Sequence, residues 1–253
     1  MSGLRVHGLG GGYVPGRLAV EGVSFAVPGG AIVAVLGPNG GGKTTLFRAL
    51  LDDLPMRVGE ADVGAVAYVP QNDRTRPDFP VSALDVVLMG AYGRLPWFRR
   101  LGREERSGAS EALERVGLAD VAGRPFGALS GGQRQAVLIA RALLQDAPVM
   151  ALDEPFSALD APTAARMEAV LRSLAEEGRV LLVATHDVEQ ARAYDLVLCL
   201  HRRQVAFGVP SDVLTPDVLR ETYGSELVML GERSAIRLGH HHHHDGEQHG
   251  HAH

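Results

Sequence analysis

The chain is short of several residue types, and each shortage excludes something. Its single cysteine, Cys199, sits in the apolar run LVLCL, so no internal disulfide can form. A buried structural thiol in a reducing compartment is the simplest account of it. Lysine is nearly missing: of 25 basic residues, 24 are arginine and one is Lys43. No apolar run approaches the ~18–20 residues that a bilayer-spanning helix needs. The opening MSGLRVHGLGGGYV has no basic-then-apolar secretory pattern. Any membrane role is therefore expected to need a separate membrane subunit. A formal net charge of −5 and a pI near 6.1 weigh against a nucleic-acid partner. What remains is an ordinary globular composition, 45% hydrophobic and 22% charged over 253 residues. That length suits one domain with an appended subdomain.

The richest stretch runs from 129 to 160, LSGGQRQAVLIARALLQDAPVMALDEPFSALD. Ser130 with Gln133 three residues on has the spacing of a capping box. Gly131 and Gly132 leave the backbone N–H groups of that helix start open to an anion. Ala136, Val137, Ile139, Ala140, Leu143 and Leu144 continue as a largely buried helix, which Asp146 and Pro148 end. Val149–Leu152 reads as a buried strand that delivers Asp153 and Glu154 to its carboxyl end. Two adjacent carboxylates there are costly unless a metal ion or a reaction employs them.

Upstream, Ala31–Leu36 is a candidate buried strand, followed by Gly37, Pro38, Asn39, Gly40, Gly41, Gly42, Lys43, Thr44 and Thr45. This matches G-x-x-x-x-G-K-[ST], a glycine loop whose backbone wraps phosphates ahead of a helix N-terminus. Lys43 is expected to reach the β- and γ-phosphates and the Thr44 hydroxyl to ligate Mg²⁺. The only lysine thus stands where a compact charge must enter a glycine loop.

In this order and spacing, the chain over about residues 3–230 resembles the ATP-binding cassette (ABC) ATPases. The resemblance implies an α/β fold: a RecA-like P-loop core, an antiparallel β subdomain and an inserted helical subdomain at about 72–145, within a cassette spanning 1–239. It implies ATP and Mg²⁺ as cofactors, with Mg²⁺ held by Thr44, Gln71 and Asp153. Glu154 would be the general base, His186 the switch histidine, and Gln71 the glutamine that joins the core to the helices. Tyr13 fits by position the aromatic that stacks on adenine. Ser130, Gly131, Gly132 and Gln133 would meet ATP held by a second copy, with Asp160 at the interface of that head-to-tail homodimer. The one departure is Gly41, where many relatives carry Ala, Ser or Cys, a change that a glycine loop should tolerate.

The implied setting is peripheral, on the cytoplasmic face of a membrane, beside integral permease subunits and indirectly an extracytoplasmic substrate-binding protein. The stretch VPQND…DFPVSALDVVLMGAYGRLPWFRR is similar to cassettes of zinc and manganese uptake systems. Iron-chelate importers and soluble cassettes without a transport role are the alternatives. Trp97 and Phe98 suit either docking of a permease or local packing.

Coarse periodicity supplies the other elements. Leu18–Val20, Val23–Val27, Val63–Val69, Val180–Ala184, Leu196–Leu200 and Gln204–Phe207 read as strands. Val81–Met89, Glu104–Val116 and the segment after Pro162 read as helices, with short helices over 210–224. The end, 240–253, holds eight of eleven histidines: His240, His241, His242, His243, His244, His249, His251 and His253. It lacks apolar periodicity, so it is expected to be disordered. It reads either as a loose Zn²⁺ or Mn²⁺ binder or as a purification tag. Removing 240–253 should leave ATP hydrolysis by the remaining chain unchanged, measured as phosphate release, because no motif of the cassette lies there.

Overall fold

The computed structural model describes residues 3–71, 80–93, 100–157 and 159–224. The expectations for Trp97, Phe98 and the histidine-rich end lie outside the described residues. A six-stranded sheet carries the fold: β3 (Ile32–Leu36), β5 (Val66–Val69), β6 (Val149–Asp153), β7 (Val180–Thr185), β8 (Leu196–Leu200) and β9 (Gln204–Gly208), in the order β5-β6-β7-β3-β8-β9. The first five of these in space are parallel and β9 is antiparallel. A second sheet of three antiparallel strands packs nearby: β2 (Val20–Val27), β1 (Leu4–Gly12) and β4 (Met56–Asp62).

The central parallel strands β3, β6 and β7 are buried on both faces, and their alternation separates two cores. Ile32, Ala34 and Leu36 of β3 and Met150 and Leu152 of β6 face one apolar cluster, which the helices cover. Val33 and Val35, with Val149 and Ala151, face the other. That second cluster lies under the antiparallel sheet and α1 (Lys43–Leu50), through Leu4, Val6, Phe25, Leu46 and Phe47.

On the helical face α2 (Ala83–Leu88), α3 (Arg103–Arg115), α4 (Gly131–Gln145) and α5 (Ala161–Glu176) share one continuous cluster with the sheet. Local signals set their ends. Ser82 and Asp85 cap α2 reciprocally, and Glu105 reaches back to the Gly102 N–H at 2.6 Å to start α3. Gly117, just past α3, has φ +73°, the left-handed turn that ends a helix. Three short helices complete the described chain, α6 (Val188–Arg192), α7 (Pro210–Val213) and α8 (Pro216–Tyr223). No helix among the described residues is long and apolar enough to cross a membrane.

Periodicity misled in the first seventy residues. Of the expected strand 18–20 only Val20 is extended, joined with 23–27 in one strand, β2, and Leu4–Gly12 forms a nine-residue strand at the centre of its sheet. The expected strand 63–69 begins only at Val66, while β4, just before it, belongs to the other sheet. β4 is an edge strand with a mostly exposed pattern, so no alternation of apolar residues announced it.

Close approach also constrains the helical layer. A Cβ at Gly90 would collide with the Arg141 carbonyl of α4, whereas one at Gly93 would meet nothing within 4 Å. Gly90→Ala should therefore cost ~1–3 kcal/mol in denaturant unfolding, and Gly93→Ala should leave the midpoint within error.

Candidate active site

The carboxyl ends of β3, β5, β6 and β7 lie along one rim of the parallel sheet, where α/β folds place ligands. From β3 the chain turns through the glycine loop into α1. Gly40 (φ +74°) and Gly42 (φ +101°) take left-handed conformations there, which glycine adopts without a Cβ clash. Lys43 is buried and curls back over the loop, donating to the carbonyls of Gly37 at 2.7 Å and Pro38 at 3.2 Å. Gly41 is closely surrounded. A Cβ there would lie 2.9 Å from the Pro38 carbonyl oxygen and 3.1 Å from that of Leu200. The Arg202 N–H also donates to the Gly41 carbonyl at 2.7 Å, tying the loop to the β8–β9 turn.

Opposite the loop, β6 presents Asp153 and Glu154. Alternation along β6 puts Asp153 on the same side as Val149 and Ala151, toward α1. There its Oδ2 accepts from the Thr44 hydroxyl at 2.5 Å and from the Tyr68 hydroxyl at 3.4 Å. Glu154 leaves the strand at φ +48°, an uncommon conformation for a side chain of this size, and its N–H donates to the Ala184 carbonyl at 3.1 Å. Its carboxylate then meets three groups from three elements. Gln71 Nε2 donates to Oε2 at 2.8 Å, Lys43 Nζ lies 3.9 Å from Oε1, and His186 Nδ1 lies 3.7 Å from Oε2. Gln71 arrives from the end of β5 and His186 from the end of β7.

The structure thus brings together Lys43, Thr44, Gln71, Asp153 and Glu154 around a cleft of about 500 Å³, with the backbone of Pro38–Gly42 along one wall. His186 stands at its border, more than half exposed. Tyr13 lies beside this cleft, in a smaller hollow of about 260 Å³ that reaches Gly40. The Arg48 guanidinium stands 5.6 Å from the Tyr13 ring centroid, a cation–π contact that holds the ring toward α1.

Ser130, Gly131, Gly132, Gln133 and Asp160 are not part of this cleft. They line another, of about 480 Å³, together with Arg166 of α5. The expected capping box is present: the Ser130 hydroxyl accepts from Gln133 N–H at 3.2 Å, and the Gln133 side chain returns to the Ser130 N–H at 3.1 Å. Asp160 caps α5, accepting from the Thr163 N–H at 2.8 Å.

Glycine loop, paired carboxylates, capped SGGQ helix and sheet order together describe one kind of ATPase. The family profile described as ABC transporter matches residues 20–157. This chain belongs to the ABC transporter ATPases. A manganese transport system ATP-binding protein of Bacillus subtilis (strain 168) is 39% identical over 224 residues, covering 85% of this chain and 90% of that one. A zinc transport system ATP-binding protein of Treponema pallidum (strain Nichols) is 41% identical, covering 81% of each. Among solved structures, an inward-facing metal-chelate type ABC transporter aligns with TM-score 0.78 at 33% identity, over 88% of this chain and 89% of that one. A dimeric ATP-binding cassette bound to ADP and phosphate after hydrolysis aligns with TM-score 0.70 at 26% identity, over 82% of this chain and 98% of that one. The ABC family membership makes the chain a nucleotide-binding ATPase with the P-loop α/β fold.

Sequence reasoning missed Tyr68, Arg48, Arg166 and Arg202. Tyr68 left no local signal, because it lies toward Asp153 only once β5 pairs beside β6 with Tyr68 opposite Ala151. The three arginines reach their places through tertiary packing.

Asp160 yields a pH test. The Thr163 side chain first, and the Thr163 N–H after it, hold its carboxyl below the ordinary value of 3.8. A carboxyl depressed in the fold adds stability that is complete above its unfolded value and is lost as pH falls through the folded one. The unaltered chain should therefore exceed Asp160→Asn in melting temperature at pH 6–7 (roughly neutral conditions), and that margin should shrink below about pH 4.

Proposed function

We propose that the chain is the ATPase subunit of a bacterial importer for Zn²⁺ or Mn²⁺, acting as a homodimer beneath separate permease subunits. The carrying observation is the convergence of Thr44, Asp153, Gln71, Glu154 and His186 on the glycine loop, in a chain whose relatives are named for zinc and manganese transport. An extracytoplasmic binding protein would hand the metal to the permease, and the cassette would lie at the cytoplasmic face of the membrane.

The glycine loop, Pro38–Thr45, would cradle the triphosphate, with Lys43 turning from its loop carbonyls toward the phosphates and Tyr13 stacking on adenine. The hydroxyl and carboxylate oxygens of Thr44 and Asp153, with the Gln71 amide oxygen nearby, form the hard donor set that suits Mg²⁺. Bound there, Mg²⁺ would neutralise charge on the β- and γ-phosphate oxygens. Glu154 would polarise the attacking water, and His186 and Gln71 would fix its direction.

The separate cleft of Ser130–Gln133 and Asp160 supports the head-to-tail reading, in which each copy offers that surface to nucleotide held by the other. Helices within about 72–145 would serve as the inserted helical subdomain that follows the permease. The 240–253 segment would be an appended metal-binding tail.

A second reading, an iron-chelate importer, is favoured by one relative, a chelated iron transport system protein of Yersinia pestis at 35% identity. Radiometal uptake separates the two. Cells carrying Glu154→Gln should lose uptake of zinc or of manganese, while the purified variant keeps ATP binding and loses ~10²-fold or more in turnover. Undiminished turnover would remove Glu154 from its role. Unchanged uptake of both metals, with expression intact, would move the substrate to iron chelates.

A further inference from the structure

β5 touches both carboxylates, yet the roles above use only Gln71 at its end. We infer that Tyr68 is a positioning residue that sets the Asp153 carboxylate for divalent metal, an inference that rests on the reading of Thr44 and Asp153 as the Mg²⁺ site.

Three observations support it. Parallel pairing sets Tyr68 opposite Ala151, so both point to the side on which Asp153, two residues beyond Ala151, also lies. The Tyr68 hydroxyl donates to Asp153 Oδ2 at 3.4 Å, the same oxygen that accepts from Thr44 at 2.5 Å. The ring is then held by Phe47 of α1, edge-on with centroids 6.4 Å apart. Phe47 is fully buried, so the hydroxyl is delivered from a rigid support.

The arrangement divides the two oxygens of Asp153. With Oδ2 engaged by donors from α1 and β5, Oδ1 would be the oxygen left to serve the divalent metal site. Groups that orient metal ligands from behind commonly govern metal affinity. One strand therefore sets both carboxylates, Asp153 through Tyr68 and Glu154 through Gln71.

The test is Tyr68→Phe in the full chain, which keeps the ring against Phe47 and removes only the hydroxyl. Mn²⁺ replaces Mg²⁺ as probe, and its free signal is followed by electron paramagnetic resonance with and without ADP. The difference cancels any nucleotide-independent binding elsewhere, the histidine-rich end included. ADP-dependent Mn²⁺ affinity should weaken by about 10-fold, while ADP binding in EDTA stays unchanged. In turnover assays the Mg²⁺ requirement should rise and the KM for ATP at saturating Mg²⁺ should not. Asp153→Asn serves as the reference. If it loses ADP-dependent Mn²⁺ and Tyr68→Phe does not, the role of Tyr68 is overturned and the metal site stands. Should neither variant weaken Mn²⁺, the metal site and the role of Tyr68 fall together.

Discussion

An apolar strand that ends in two adjacent carboxylates is the constraint on which this structure turns. Val149–Leu152 is fully buried, and Asp153 is 3% exposed, so a bare charge there would be expensive. The fold answers with donors drawn from every neighbouring element: Thr44 and Tyr68 for Asp153, and Gln71, Lys43 and His186 around Glu154. These groups come from α1, β5, the glycine loop and β7. The pair can be satisfied only when the sheet order β5-β6-β7-β3 is in place. Site and topology are thus one requirement.

Two layers of core hold that order. Alternation along β3, β6 and β7 sends residues to two apolar clusters, one under the antiparallel sheet and α1, the other under the helices. Surface ion pairs add little by comparison. The chain Arg115–Glu177–Arg179–Asp146, with contacts from 2.6 to 3.6 Å, connects α3, α5 and the end of α4, but each of its pairs has at least one well-exposed partner. Such pairs are worth ~0–1 kcal/mol each. What they contribute is relative placement of elements already packed by apolar contact.

The site was legible to different degrees. Lys43, Thr44 and the loop glycines were readable because local backbone chemistry demands those residues: left-handed φ at Gly40 and Gly42, and a helix starting at Lys43. The Ser130–Gln133 cap was readable for the same reason, being a bond between residues three apart. Gln71 and His186 could be singled out only through family resemblance, because one amide and one imidazole after two strands carry no local signature. Their convergence on Glu154 joins residues 83 and 32 positions apart, a fact of strand order. The close surroundings of Gly41 are likewise tertiary: the Leu200 carbonyl oxygen lies 3.1 Å from where a Cβ would stand, a contact from 159 positions away that the loop motif does not announce.

By itself the sequence determined what short-range physics controls: the helix cap at Ser130, the buried strands 32–36, 149–153 and 180–185, and the phosphate-loop geometry. The sheet to which an edge strand such as Met56–Asp62 belongs was decided by tertiary structure, since an exposed strand has no apolar period to declare its partner. So were the Tyr68 hydroxyl at Asp153, the Arg202 N–H at Gly41, and the separation of the SGGQ cleft from the glycine-loop cleft. Each depends on contacts between residues dozens of positions apart, and such contacts exist only once the two cores have closed on the sheet.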